Sequence, residues 1–412
     1  MADEKENPQP DRADASSARE TKQPKPKKPL RKRLLSAALF CLYVLILLEV
    51  ASRIYWYVKR DVPFFCTHDD FYVRFYEEVR ESGVMEAELG PEDGHFDVLM
   101  LGGSAMDRFH RSMCAKTNAF QNALEARVGR PVRAWNLANV ALTTRDSAIK
   151  YRRLEGRHFD LVIVYHGIND VRLNNAPPDV FRDDYTHAGW YVKIRRMDAY
   201  GGFLSVLTVP YTVEYTIIHI LESKSVNYYV PRHRPNPEWM AHGDVVRTAG
   251  PFEANLREIL AVAERRQEPV ILATFAWHIP EDYSLAKLKA GELPYARARA
   301  PSPVENWGLV PNVAQGLRVH NEVTRRLGRE QWGSQRLMLA PVAEEVGQDA
   351  PQRFCDVCHL SDAGKEIMLR VLVDTMRQHA GRLALRPGEG GLEQRVDPRP
   401  AGGPNDQDRA DQ

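Results

Sequence analysis

No charge of one sign dominates this sequence, and cysteine is scarce. Lysine and arginine number 56 against 55 acidic residues in a chain of 412, so no overall basic field points to nucleic acid and no overall acidity points to general disorder. Nucleic acid is therefore not an expected partner. Of the five cysteines, Cys41 lies in an apolar run, which leaves Cys66, Cys114, Cys355 and Cys358. These permit three pairings, and reduced thiols stand as a further option. No second close Cys or His pair accompanies Cys355, Cys358 and His359 to complete four zinc ligands, and Asp107 and Asp170 have no paired ligands beside them. No metal and no cofactor is expected. Internal repeats are also lacking, and 43% apolar residues give room for one sizeable catalytic domain with appendages.

What is present begins with a polar tail. Residues 1–33 carry no apolar period, are rich in Lys, Arg, Pro, Glu and Asp, and are expected to be disordered in the cytoplasm. The run Leu34 to Leu48 then continues through Ser52, close to the roughly 20 residues a spanning helix needs, and residues 34–58 read as a transmembrane signal anchor. Lys25, Lys27, Lys28, Arg31, Lys32 and Arg33 precede it, against Arg53, Lys59 and Arg60 after it, which leaves the N-terminus inside and the rest outside. Tyr55, Trp56 and Tyr57 fit an aromatic belt at the outer headgroups, and Glu49 lies near enough to that edge to reach water. A cleaved signal peptide ending at Val50-Ala51-Ser52 is the alternative; the long polar leader and Glu49 favour retention. A periplasmic or extracellular domain on a bacterial inner membrane and a eukaryotic type II arrangement read alike.

After a connector, residues 59–94, five apolar segments read as strands: 96–104, 132–138, 160–167, 269–275 and 336–342. Helical patterns such as AFQNALEARV, ANLREILAVAERR and KEIMLRVLVDTM alternate with them. That rhythm implies a three-layer α/β/α domain over residues 95–385 with a mainly parallel, flavodoxin-like central sheet, its site at the carboxyl ends of the strands. Residues 171–250 interrupt the rhythm as an insertion. Within it, Phe203 to Leu221 is long and apolar enough to suggest a span, but Pro210, Glu214 and His219 oppose one, and a span would separate Ser104 from His359 across the membrane. A helix packed on the domain is expected, with a lid or a membrane-facing surface as the other options. Residues 386–412 read as a second disordered tail.

Four strand ends carry chemistry. Gly102-Gly103-Ser104 puts a serine on a tight glycine turn with its peptide N–H accessible. Asn136 to Thr144 follows the second strand, and Gly167-Ile168-Asn169-Asp170 puts an amide at the mouth of the third, able to donate to an oxyanion. Near the end, Asp356 and His359 stand three apart, a spacing that in a helix-like turn would put carboxylate and imidazole on one side, the acid holding the Nδ1 proton. Taken singly, each also fits a cap, a turn or an incidental polar residue. His166 and His278 are given no role.

Taken together, these blocks resemble the SGNH/GDSL hydrolases over roughly residues 95–380. The resemblance implies Ser104 as nucleophile, His359 as base and Asp356 as its orienting acid. It further implies an oxyanion hole from the N–H groups of Ser104 and Ala141 and the side chain of Asn169. Ala141 stands where that family has a glycine, Gly103 replaces the usual Asp before the serine, and Arg108 stands where a glycine often follows. The expected activity is ester hydrolysis through an acyl-enzyme, on an ester-bearing small molecule, lipid or polysaccharide. Alternatives are an O-acyltransferase acting on envelope polysaccharide, a catalytically weak binding module, and, remotely, a c-type haem protein through Cys355-x-x-Cys358-His359.

Overall fold

The computed structural model describes residues 29–60, 62–66, 71, 76–90, 93–199, 207–213, 216, 235–298, 300–330, 336–347 and 349–379. The tail at 386–412, the tail at 1–33 as far as residue 28, and most of the apolar stretch 203–221 lie outside the described residues.

The first helix, α1 (Leu30–Arg60), holds the whole apolar run, and an 18-residue stretch of it with a mean hydropathy of 2.5 has no buried residue. Among the described residues it is the one helix long and apolar enough to cross a membrane. Its C-terminal end is docked rather than free. Glu49 does not turn out to water as the sequence reading has it. Its carboxylate accepts the N–H of Thr208 at 2.9 Å and of Val209 at 3.1 Å, and the Nε of Arg53 at 2.8 Å. A helical turn begins at Val209, and the first N–H groups of a helix lack intrahelical acceptors. Glu49 supplies them. One turn on, Ser52 Oγ lies 2.6 Å from Thr212 Oγ1, and Trp56 Nε1 donates to that same oxygen at 2.7 Å. Phe71 stacks on Tyr211 and meets the Trp56 ring edge-on.

The five expected strands form one fully parallel sheet, β1 (Phe96–Gly102), β2 (Val132–Asn136), β3 (Leu161–Tyr165), β4 (Val270–Ala273) and β5 (Leu337–Ala340), in the order β2-β1-β3-β4-β5. Strands covered on both faces carry near-continuous apolar runs. Every residue of β1, β3 and β4 is accordingly buried, while edge strand β2 is half-buried beyond Val132. Alternate residues serve opposite layers. Val98, Met100, Ile163, Tyr165 and Ile271 join helices α2 (Ser104–Phe109), α3 (Ala119–Val128) and, on the helix Asp362–Gln378, Met368, Leu372 and Met376. Leu99, Leu101, Val162, Val164 and Leu272 pack against α4 (Thr144–Arg153) and the later helix Ala249–Arg266. The doubly covered parallel sheet is the architecture the sequence implies.

The stretch read as a connector contributes to the second layer, where Tyr76, Val79 and Val84 are buried. Chain order reverses between β1 and β3, so the crevice at their carboxyl ends is the switch point at which such sheets bind ligands.

Glu49→Ala in the detergent-solubilised full chain is expected to cost about 2 kcal/mol, since it strips a charged acceptor from two partly buried N–H groups. Thermal unfolding followed by circular dichroism reads the loss.

Candidate active site

β1 runs straight into the first candidate residue. Ser104 opens α2, so its N–H has no acceptor within the helix. The glycines before it are there for proximity, since Gly103 has an ordinary extended backbone at φ −95°. A Cβ on Gly102 would come within 2.4 Å of Met106 Cβ, and one on Gly103 within 2.5 Å of Asn169 Nδ2. Gly103 therefore lets the asparagine amide lie against the serine turn.

Ser104 Oγ lies 2.8 Å from His359 Nε2, and His359 Nδ1 lies 2.9 and 2.8 Å from the two carboxylate oxygens of Asp356. With Nδ1 donating to the acid, Nε2 is left to accept the serine proton. The expected helix-like turn is not how acid and base meet. Residues 355–359 form a loop closed by an antiparallel bridge between Phe354 and Leu360 and by Cys355 N–H donating to His359 O at 2.7 Å. Inside it, Asp356 Oδ1 accepts the N–H groups of Cys358 and His359 at 3.0 and 2.9 Å. A short side chain capping its own downstream backbone makes the same-side placement without a helix. Asp356 Oδ2 also accepts the N–H of Ser302 at 2.9 Å. Burial would raise the Asp356 carboxyl, but the His359 imidazole and these N–H donors outweigh it and hold it below the usual carboxylate range.

Asn169 lies at the carboxyl end of β3, in the short helix Ile168–Leu173. Its Nδ2 donates one proton to Leu142 O at 2.8 Å, while Oδ1 accepts from Trp307 Nε1 at 3.0 Å and Arg172 Nη2 at 3.2 Å. Ala141, buried beside it, has φ +63°, the left-handed conformation. That is where a glycine would sit without strain, and an alanine there costs roughly 1–2 kcal/mol. Its N–H donates to no backbone acceptor among the described residues. Ser104, Asn169, Asp356 and His359 are thus brought together, and Ala141 stands one residue before the carbonyl that holds the Asn169 amide.

A buried polar network fixes the loop that carries Ala141. Thr143 caps α4 in a reciprocal box with Asp146, whose carboxylate also accepts from Tyr76 Oη, Trp190 Nε1 and Tyr191 Oη. Asp170, fully buried, accepts the Thr144 N–H at 3.1 Å, the Thr144 hydroxyl at 2.5 Å and the Tyr185 hydroxyl at 3.0 Å. Burial pushes its carboxyl up to about 7 against the pull of these donors. Asp146, Thr143, Thr144, Tyr185, Trp190 and Tyr191 carried no signal in the sequence beyond the cap pattern Thr143-x-x-Asp146, and Ser302, Trp307 and Arg172 carried none.

The other candidates are used differently. Cys66, Cys114, Cys355 and Cys358 stand as unbridged thiols, and burial pushes Cys114 up to about 12. The haem reading of residues 355–359 fails on geometry, because Cys358 is wholly buried and His359 Nε2 faces Ser104. Ligand atoms of Asp356, Cys358 and His359 lie within 4.8 Å of one another, a spacing open to a metal, but both imidazole nitrogens are already engaged. His166 is buried against Ser147 Oγ, and desolvation drops its imidazole to about 3.

No protein-family model and no curated protein matches the chain. Among solved structures, a GDSL-like lipase from Bacteroides thetaiotaomicron is similar at 11% identity and a TM-score of 0.41, over 74% of this chain and 99% of that one. A putative acylhydrolase from Bacteroides fragilis has 11% identity and a TM-score of 0.39, over 74% and 95%. A catalytic mutant of an acetylxylan esterase from Geobacillus stearothermophilus has 13% identity and a TM-score of 0.34, over 72% and 97%. Likeness this remote carries no argument about activity.

Two outcomes are expected. Ala141→Gly relieves the left-handed strain and stabilises the chain by roughly 1 kcal/mol, read from thermal unfolding. Asp170 titrates near 7 folded against 3.8 unfolded. The folded chain therefore holds a proton between those values that the unfolded chain has released, and stability falls as pH rises through that window. Asp170→Asn should flatten that fall in unfolding midpoints measured from pH 4 to 7.5.

Proposed function

We propose that this chain is a membrane-anchored serine esterase that cleaves O-acyl esters through a covalent acyl-enzyme, with its catalytic domain outside the cytoplasm. The observation that carries the reading is the unbroken relay from Ser104 Oγ to His359 Nε2 and from His359 Nδ1 to Asp356, set beside a buried asparagine amide. A binding module has no need of such a relay. The fold, the order of the blocks and their likeness to the SGNH/GDSL pattern point the same way.

In the first half-reaction Ser104 Oγ attacks the acyl carbonyl carbon while His359 Nε2 takes the hydroxyl proton, and Asp356 steadies the imidazolium that results. The carbonyl oxygen, now negative, meets the N–H groups of Ser104 and Ala141 and the second Nδ2 proton of Asn169. Each such donor is worth on the order of 3 kcal/mol in the transition state. Collapse breaks the bond to the alcohol oxygen, which leaves with the proton from His359. Water then attacks the acyl-serine, gives its proton to His359, and the acid departs as that proton returns to Ser104 Oγ. An acyltransferase would differ only in the acceptor of this second step.

The positive charge that precedes the apolar run, against less after it, supports an N-terminus in the cytoplasm. The bonds from Glu49 to Thr208 and Val209 support a retained anchor, because cleavage after Ser52 would remove an acceptor the domain uses.

The test is fluorophosphonate labelling and p-nitrophenyl acetate hydrolysis by the full chain in detergent, beside Ser104→Ala and His359→Ala. Labelling should vanish in the serine variant, and turnover should drop on the order of 10³-fold or more in both. A folded wild type with neither labelling nor turnover would overturn the reading.

A further inference from the structure

The loop between Pro301 and Gly308 touches both ends of the catalytic apparatus. At its start, Ser302 N–H donates to Asp356 Oδ2 at 2.9 Å; at its end, the Trp307 indole N–H donates to Asn169 Oδ1 at 3.0 Å. The loop is itself held firmly. Val304 N–H donates to Tyr283 Oη at 2.9 Å, and that hydroxyl donates to Glu305 at 2.7 Å. Trp307 N–H closes a tight turn onto Val304 O, and Trp307 O accepts from Asn175 Nδ2 at 2.8 Å. The same Asn175 amide bonds Arg172 O at 2.7 Å, tying the loop to the short helix that bears Asn169.

We infer that residues 302–307 are a positioning clamp for the proposed esterase, with the Trp307 indole fixing the orientation of the Asn169 amide. The reasoning is one of donor and acceptor counting. A carboxamide has two orientations related by a half-turn, and only one of them offers N–H to an oxyanion. Here Oδ1 faces two donors, from Trp307 and Arg172, while Nδ2 faces the carbonyl of Leu142 and the turn at Gly103. The half-turn would set Nδ2 against two N–H groups and Oδ1 against a carbonyl oxygen. Because Asn169, Arg172 and Trp307 are all buried, water cannot compensate for such mismatches. Accepting two bonds at Oδ1 also polarises the amide, which strengthens Nδ2 as a donor. Trp307 acts through Asn169 and has no contact with substrate in this scheme, so its loss should weaken the transition state and leave ground-state binding intact.

The inference rests on the esterase reading, and the experiment separates the two. Kinetics of p-nitrophenyl acetate hydrolysis are measured on the full chain for wild type, Trp307→Phe, Asn169→Ala and the double variant. Trp307→Phe is expected to lower kcat by about tenfold with KM within about twofold, and to add less than about twofold when Asn169 is already alanine. Should Trp307→Phe fail to fold, 3-benzothienylalanine placed at position 307 keeps the indole's shape and replaces its N–H with sulfur, so the same cycle can be run. An active wild type whose kcat is unmoved by the position-307 change, or moved equally in both backgrounds, overturns the clamp alone. A wild type that neither turns over ester nor loses labelling on Ser104→Ala overturns the esterase reading and the clamp with it.

Discussion

Everything at the carboxyl edge of the sheet depends on how closely the chain leaving β1 approaches the chain leaving β3. Two positions set that distance. A side chain on Gly102 would drive into Met106 and the Tyr165 carbonyl, and one on Gly103 into the Asn169 amide. With hydrogen there instead, serine and asparagine lie side by side across the switch point, and the loop that follows β5 can bring His359 down onto Ser104 from the other side. The glycine pair therefore serves contact more than bending. An aspartate before the serine, as in the family the sequence resembles, could not fit here unless Asn169 moved away.

The parts of this arrangement that were legible in the sequence are the ones written in local pattern. β1, β3 and β4 are covered on both faces, so burial demanded continuous apolar runs, and those runs could be read directly. The residues at their ends stood out because glycine, asparagine and the Asp-x-x-His spacing each have a small set of uses. Their assembly into one site came from resemblance, and the folded chain sets Ser104, His359 and Asp356 in hydrogen-bond contact with the Asn169 amide beside the serine turn. The spacing argument for Asp356 and His359 reached a correct placement by a wrong route, since a bridged loop with a self-capping aspartate does what a helical turn was expected to do.

The illegible parts are those whose meaning is purely tertiary. Trp307 reads as one more aromatic in a proline-rich loop, and only the folded chain puts its N–H on an oxygen 138 residues away in sequence. Ser302 contributes a backbone group, which no side-chain pattern can announce. Glu49 is the sharpest case. A carboxylate at the edge of an apolar helix has a default explanation, that it reaches for water, and the competing one needed knowledge that Thr208 and Val209 would arrive with unpaired N–H groups. Their segment was itself ambiguous in sequence, so the pairing could not have been foreseen from either side.

The buried polar network behind the site has a physical logic that follows from where the proposed oxyanion donors lie. Two of the three are backbone N–H groups, and one, at Ala141, sits on a residue in an unfavourable conformation. Strain of this kind persists only where surrounding structure over-determines it. Asp146 and Asp170 provide that constraint. Between them they bond Thr143 and Thr144, two and three residues beyond Ala141, to the connector through Tyr76, to the insertion through Tyr185, Trp190 and Tyr191, and to the helix bearing Asn169. Burying two carboxylates is costly, and hydrophobic side chains of similar size would pack with less penalty. What apolar packing lacks is direction. A carboxylate that accepts several bonds fixes the angles of each donor's chain as well as its distance, and preorganised donors are effective only when aimed. The insertion that interrupts the regular strand and helix alternation thus supplies three of the side chains that brace the Ala141 loop in its strained conformation.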